Sequence, residues 1–325
     1  MTHGIRIKKT GGPEVLEYER VDVAAPGPGH VLLRQTAIGV NYIDTYHRSG
    51  LYPLPSLPHG IGAEAAGVVE AVGDGVTSVA PGDRVAYAGG APGAYATGRI
   101  VPAQILVKLP GAIDDRTAAA MMLKGMTVEY LIRRTFKVEK GMHVLWHAAA
   151  GGVGLIACQW LASLGAHVIG TVSTPEKAAL AKQHGCEHTI QRGEDIASRV
   201  RELTGGNGVP VVYDSVGRET MAASLDSLAR RGMLVSFGNA SGKPEPLDPL
   251  VLSHKGSLYL TRPTLKDYTA TRDELEASAG ALFAAVATGA VKIHVAQTFP
   301  LRQAADAHRA LESRSTVGST VLLPD

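Results

Sequence analysis

The apolar positions of this chain fall into two textures. Up to about residue 120 they form short β-branched runs broken by glycine and proline: HVLLRQTAIGV, EAAGVVEAVG, DRVAYAG and ILVKLP. Runs of that length between turn residues predict strands, so the N-terminal part reads as mostly β. From about Ala118 to Asp267, strand-like and helix-like stretches alternate. VLWHAA leads into an apolar helical stretch that ends at Gly165. Then come HVIGTV, a helix from Pro175 to His184, HTIQ, a helix over 194–204, VPVVYDSV, a helix over 219–230, GMLVSFG and SLYLTR. Such alternation predicts a parallel sheet covered by helices on both faces, an α/β doubly wound domain. Beyond Lys266 a helix over Arg272–Ala287 precedes VAQTFPL, a helical RQAADAHRALES and STVLLP, and this tail is expected to return to the first domain.

Composition narrows the classes. At 325 residues the chain exceeds one typical domain, so two are expected, each with its own core. Its 45% apolar and 19% charged residues are those of an ordinary globular protein. A net charge of +2 without a dense Lys/Arg run argues against a nucleic-acid partner. No apolar run reaches the roughly 18 residues that span a bilayer, and MTHGIRIKKTGG lacks a signal peptide's apolar core, so the chain reads as cytoplasmic with no membrane partner. Two cysteines, Cys158 and Cys186, are too few for a disulfide framework or a four-cysteine zinc site, and Cys158 is expected to be a small buried apolar residue. The 12 histidines read as scattered, without HxxxH or HExxH spacing, and no metal site is expected.

The stretch AAAGGVG, residues 148–154, sits between the first predicted strand and helix of the alternating region. Glycines at 151, 152 and 154 let backbone approach a ligand, and the helix beginning there offers free N–H groups and a positive dipole end, which suits a pyrophosphate. The spacing is Ala-x-Gly-x-x-Gly, with Ala149 in the first place of the dinucleotide fingerprint; close packing alone is the alternative reading. At the end of the second strand, in TVSTPEK, Ser173 stands where NAD sites usually place an acidic residue to meet a ribose hydroxyl. Ser173 and Lys177 instead suit a 2′-phosphate, which favours NADPH, and Arg192 offers a second cation or an adenine stack. Solvated surface charge is the alternative for both Lys177 and Arg192.

Several blocks in order carry a resemblance over almost the whole length: GVNYIDTYHRSGLY, GAEAAGVVEAVGDGVTSVAPGDRV, LKGMTVEYL, HAAAGGVGLIACQW, VVYDSVGRET, LVSFGNASG and GSLYLTRPTL. The chain resembles the zinc-free, zeta-crystallin-like quinone oxidoreductases of the medium-chain dehydrogenase/reductase superfamily. The resemblance implies a GroES-like β domain from residues 1–120 and 267–325, and a Rossmann NADPH domain over 121–266. It places the active site in the cleft and implies a homodimer through the Rossmann domains. Asn41 and Ala63 stand where zinc-dependent members carry Cys and His ligands. Without a Lewis acid the acceptor must take hydride readily, as quinones and conjugated enones do.

By the same resemblance Asn41, Lys124 and Thr127 lie near the nicotinamide, and Gly151, Gly152, Val153 and Gly154 cradle the pyrophosphate. Phe237, Gly238, Asn239, Thr261 and Arg262 close the cofactor's other side, with Arg314 reaching it from the tail. Ser173 and Lys177 match the family's 2′-phosphate contacts, whereas Arg192 replaces a tyrosine. Tyr46 and Tyr52, in the 39–52 loop, are the expected walls of a quinone pocket, Tyr46 also a proton donor; packing is their alternative role. Glu64 is expected to be a structural carboxylate. The expected activity is NADPH-dependent quinone reduction; the alternatives are an alkenal or enone reductase and a non-catalytic NADPH-binding redox sensor.

Overall fold

Alternating burial along His30–Val40 builds the longest strand, eleven residues, and fixes how its neighbours pair. The computed structural model describes residues 1–324. In chain order the first elements are β1 (Thr2–Ile7), β2 (Glu17–Val21), β3 (His30–Val40), α1 (Tyr42–Ser49), β4 (His59–Gly60), β5 (Glu64–Val72), β6 (Arg84–Ala88), β7 (Gly98–Pro102), β8 (Val107–Lys108) and α2 (Asp115–Tyr130). Then follow β9 (His143–Trp146), α3 (Gly152–Ser163), β10 (His167–Val172), α4 (Pro175–Gln183), β11 (His188–Gln191), α5 (Ile196–Leu203), β12 (Val209–Asp214), α6 (Met221–Asp226), β13 (Leu228–Ser236), α7 (Leu250–His254) and β14 (Tyr259–Thr261). The last are α8 (Leu265–Tyr268), α9 (Arg272–Ala287), β15 (Val295–Pro300), α10 (Ala304–Glu312) and β16 (Ser319–Leu323).

The chain divides into two compact units. One holds Met1–Met126, Tyr268–Ala287 and the stretch from Ile293 onward; the other holds Thr127–Asp267 and Thr288–Lys292. In the first unit β3 pairs antiparallel with β5, β7 and β16, within a seven-stranded sheet ordered β15-β16-β3-β5-β6-β8. Its core joins Val31, Leu33, Ile38, Val69 and Val85 to Leu301, Ala304, Ala307 and Leu322 from the tail.

The second unit is a six-stranded, all-parallel sheet ordered β11-β10-β9-β12-β13-β14. Numbered from its own first strand this is 3-2-1-4-5-6, the doubly wound order in which ligands bind beyond the carboxyl ends of the strands where the order reverses. Leu145, Ile169, Ile190, Val212 and Leu234, one from each of five strands, form its core.

Three local differences from the sequence pattern have physical causes. Residues 42–49, expected as loop, form α1, because Asn41 and Asp44 make a capping box and Gly50 (φ 84°) ends the helix in the left-handed region. Helix α2 has no polar face to read: Ala118–Met122, Met126, Val128 and Tyr130 are all buried, so the amphipathic signal is missing. The helix expected over 219–230 stops at Asp226, because Leu228 pairs with Val209 across a register shift and the chain is already strand.

Helix starts are capped where they face solvent. Thr174 accepts from the Lys177 N–H at 3.3 Å, and Asp195 accepts from the Ser198 N–H and hydroxyl at 3.1 and 2.8 Å. The substitution Asp195→Ala is expected to lower stability by about 1 kcal/mol. Urea unfolding measures this; a midpoint equal to that of the parent chain would show that the cap contributes nothing.

Candidate functional site

In the second unit β9 ends at Trp146, and α3 begins at Gly152. Between them Ala148 takes φ 55°, whereas Gly151, Gly152 and Gly154 do not have positive φ. Any need for glycine here is therefore one of space rather than of backbone conformation, and it is strict at Gly154. A Cβ on Gly154 would lie 2.6 Å from the Ala149 carbonyl oxygen and closer still to that of Ala148, so only glycine lets α3 start against the strand end. Gly151 caps α3 without any side-chain hydrogen bond; its own N–H donates to the Ala148 carbonyl at 3.0 Å, and the helix's first backbone bond runs from Leu155 N–H to Gly151 at 2.9 Å. The N–H groups of Gly152, Val153 and Gly154 precede that bond, at the positive end of the helix dipole, where an anion is stabilised.

The other candidates of this unit cluster at the same edge, the carboxyl ends of the parallel strands. Ser173 follows β10 and is exposed, Lys177 lies in the first turn of α4, and Arg192 follows β11 and is exposed. Partial burial moves the Lys177 ammonium below its ordinary pKa. Phe237, Gly238 and Asn239 follow β13, and Thr261 and Arg262 stand at and after the end of β14. Arg262 donates to the Gly238 carbonyl at 3.1 Å and to the Ser236 hydroxyl at 3.3 Å. With its amide oriented to satisfy both ends, Asn239 accepts from Arg262 at 3.2 Å and donates to Gly238 at 2.9 Å. Trp146 packs on Tyr213 and Phe237, with centroids 4.7 and 5.5 Å apart, so Phe237 is partly committed to the protein interior. Thr127 is buried in α2.

Sequence reasoning missed the polar network behind the turn. His147 is fully buried and bonds to Thr171 Oγ1 at 3.1 Å and to Ser224 Oγ at 3.0 Å. Ser224 donates to Asp214 at 2.7 Å. Asp214, also fully buried, accepts further bonds from the Val216 and Gly217 N–H groups and from the Thr220 hydroxyl. Thr171 accepts from the Ala148 N–H at 3.2 Å, so this network holds the left-handed residue of the turn. Burial lowers the His147 pKa, partly opposed by the Asp214 charge. The one available signal was a histidine directly before the glycine turn.

In the first unit Asn41 caps α1 and is buried. Its Nδ2 donates to Glu64 at 2.7 Å, and Glu64 also accepts from the Leu123 N–H at 2.7 Å and from the Lys124 ammonium at 3.4 Å. Lys124 is thus a buried ion-pair partner. A second buried chain runs from Arg48, which donates to His308 Nδ1 at 3.0 Å and pairs with Glu312 at 2.6 Å. A guanidinium only donates, so His308 carries its proton on Nε2 and gives it to Tyr95 Oη at 3.0 Å. Tyr95 in turn donates to Asp44 at 2.9 Å. Tyr46 is buried on α1 and meets Tyr52 edge-on at 5.1 Å; Tyr52 is partly exposed. Arg314 is exposed beyond α10.

The pairs His143/His147 and His184/His188 do have HxxxH spacing, contrary to a reading of scattered histidines. His143 starts a strand, however, and four residues of strand span about 13 Å. Among the described residues no group of three His, Cys, Asp or Glu side chains is placed to hold a metal ion. Cys158 and Cys186 are both buried. Among the same residues, no helix is long and apolar enough to cross a membrane.

The family "Alcohol dehydrogenase GroES-like domain" matches residues 27–111, and "Zinc-binding dehydrogenase" matches residues 152–277. The chain is 54% identical to the quinone oxidoreductase of Pseudomonas aeruginosa over the full length of both. It is 50% identical to a 2-haloacrylate reductase of Burkholderia sp, with 98% of each chain covered. The solved structure of Escherichia coli quinone oxidoreductase, a complex with NADPH, superposes with a TM-score of 0.98 at 50% identity, covering all of both chains.

Two opposed titrations in the first unit generate a testable consequence. Burial raises the Asp44 carboxyl from 3.8 to about 7, against the Asn41 N–H, the Tyr95 hydroxyl and Lys124, while the Glu64 charge adds to the rise. Burial, helped by Arg48, lowers His308 from 6.5 to about 3. Between pH 3.8 and 6.5 the raised carboxyl makes the folded chain bind more protons than the unfolded, so stability falls as pH rises. The depressed imidazole does the reverse in the same window, and the two slopes cancel. Asp44→Asn removes only the first. The variant's stability minus that of the parent chain is expected to rise by roughly 1.4 kcal/mol per pH unit across the window. Urea unfolding at several pH values measures it, and a difference that stays constant would contradict the assignment.

Proposed function

Because this chain belongs to the quinone oxidoreductase family of the medium-chain dehydrogenase/reductase superfamily, we propose that it is an NADPH-dependent reductase that passes hydride to a quinone. The observation that carries the cofactor half is the uncapped start of α3 at Gly151–Gly154, behind the first strand of a 3-2-1-4-5-6 parallel sheet. That geometry fits a pyrophosphate. Ser173 and Lys177, with no carboxylate at the end of β10, fit a 2′-phosphate; Arg192 adds a cation on the neighbouring strand end. Phe237, Gly238, Asn239, Thr261 and Arg262 complete that edge. When bound, NADPH would supply hydride from C4 of its nicotinamide.

The residues proposed for the reacting end are Asn41, Lys124 and Thr127, with Arg314 as a further cofactor contact. Tyr46 and Tyr52 are the proposed aromatic contacts for a flat acceptor. Tyr52, the more exposed of the two, is the better placed to meet it. Reduction without zinc is part of the proposal. The position that holds a thiolate ligand in zinc-dependent relatives is Asn41, whose amide is already bonded to Glu64, and the imidazole position is Ala63. The reading includes a cytoplasmic homodimer joined through the second units, supported by the open edge strand β14 with Tyr259 and Leu260 exposed.

A second reading, reduction of a conjugated carbon–carbon double bond, is favoured by the 50% identity to a 2-haloacrylate reductase. Oxidation of NADPH followed by absorbance with 1,4-benzoquinone, with a 2-alkenal, with 2-chloroacrylate and with no acceptor separates the readings. Quinone turnover is expected; activity confined to the alkenes supports the second reading, and no turnover with NADPH bound supports a sensor.

Lys177→Ala is expected to weaken NADPH by roughly 1–3 kcal/mol and leave NADH nearly unchanged. Titration calorimetry with both cofactors decides it, since equal losses would sink the 2′-phosphate assignment. After prolonged chelation the protein is expected to keep its quinone reductase rate; a stoichiometric zinc whose removal abolishes turnover would refute the zinc-free mechanism.

A further inference from the structure

Glu64 holds more than its fold requires. It is fully buried at the start of β5, and its side chain crosses over Gly39, where a Cβ would collide with the carboxylate and with the Ala119 carbonyl oxygen. Having crossed, it takes the backbone N–H of Leu123, a mid-helix amide of α2, and the ammonium of Lys124. Its shortest side-chain partner is the Asn41 amide, at 2.7 Å.

A carboxylate only accepts, so it allows one of the two orientations of that amide. Turned over, Asn41 would set its carbonyl oxygen 2.7 Å from a carboxylate oxygen, acceptor against acceptor with both side chains buried. In the observed orientation the two Nδ2 hydrogens go to Glu64 and, at 3.5 Å, to the Gly39 carbonyl. The amide nitrogen is then fully committed. Oδ1 serves the capping box of α1 with one lone pair and keeps the other.

We infer that Glu64 is a positioning residue, which fixes Asn41 as a hydrogen-bond acceptor for a carboxamide N–H of the bound cofactor. The inference rests on the reading that Asn41 lies beside the nicotinamide. Lys124 serves in it as the buried counter-charge to the Glu64 carboxylate.

The test compares NADPH with the reduced 3-acetylpyridine analogue, in which a methyl group replaces the carboxamide NH2. Calorimetry measures both dissociation constants for the parent chain, Glu64→Gln and Asn41→Ala, with circular dichroism confirming the fold. The parent chain is expected to prefer NADPH by about tenfold, the worth of one hydrogen bond. In Glu64→Gln the new amide pairs with either face of Asn41, so the preference falls to near unity while analogue affinity changes less than about twofold. General structural damage would instead weaken both cofactors by the same factor and leave the ratio intact. Asn41→Ala is expected to lose the preference as well, which keeps the test decisive if Glu64→Gln does not fold. A parent chain that binds both cofactors equally, or a folded variant that retains the preference, overturns the inference while leaving NADPH binding intact. A parent chain that binds neither overturns the cofactor reading itself.

Discussion

A carboxylate without access to water must have its lone pairs answered by protein donors, and each unit is arranged around one that does. In the first unit Glu64 collects Asn41, Leu123 and Lys124. In the second Asp214 collects Val216, Gly217, Thr220 and Ser224. Leaving either charge unpaired would cost several kcal/mol, so the donors have little freedom to move. The residues they hold are the candidates for chemistry: the Asn41 amide in one unit and, through His147 and Thr171, the turn at Ala148 in the other.

The turn shows how a scaffold can offer a candidate anion site without dedicated side chains. Helix α3 begins without a cap and close against the end of β9, so its first amides have no partner of their own within the helix. Gly154 is required because neighbouring carbonyl oxygens occupy the space a Cβ would take. The left-handed backbone falls instead on Ala148, where the Thr171 hydroxyl and the His147 network hold it. The rigidity of the turn therefore comes from behind it, out of reach of a ligand.

The parallel, helix-covered sheet of the second unit was foreseeable from the alternation of strands and helices, because a parallel sheet needs helical crossovers and these leave a 3.6-residue signature; its 3-2-1-4-5-6 order was not. The glycine turn, Ser173 and Arg192 could be read from their places just after apolar runs, whereas Phe237, Gly238, Asn239, Thr261 and Arg262 came from the family resemblance alone. The first unit was less legible. Helix α1 hid because its start depends on a capping box rather than an apolar stripe, and α2 hid because it is buried all round.

What the sequence by itself determined is therefore local: strand and helix periods, the glycine turn, a serine rather than an acidic residue directly after HVIGTV, and the family blocks that identify relatives. What only the tertiary structure decided is which polar groups meet after crossing many residues of chain. Glu64 reaches Leu123 and Lys124, and Arg48 reaches His308, across separations of 59, 60 and 260 residues. No spacing rule links such positions, because their proximity is set by sheet pairing and helix packing. The opposed shifts of Asp44 and His308, and the fixed orientation of Asn41, exist only once that packing has removed water from around them.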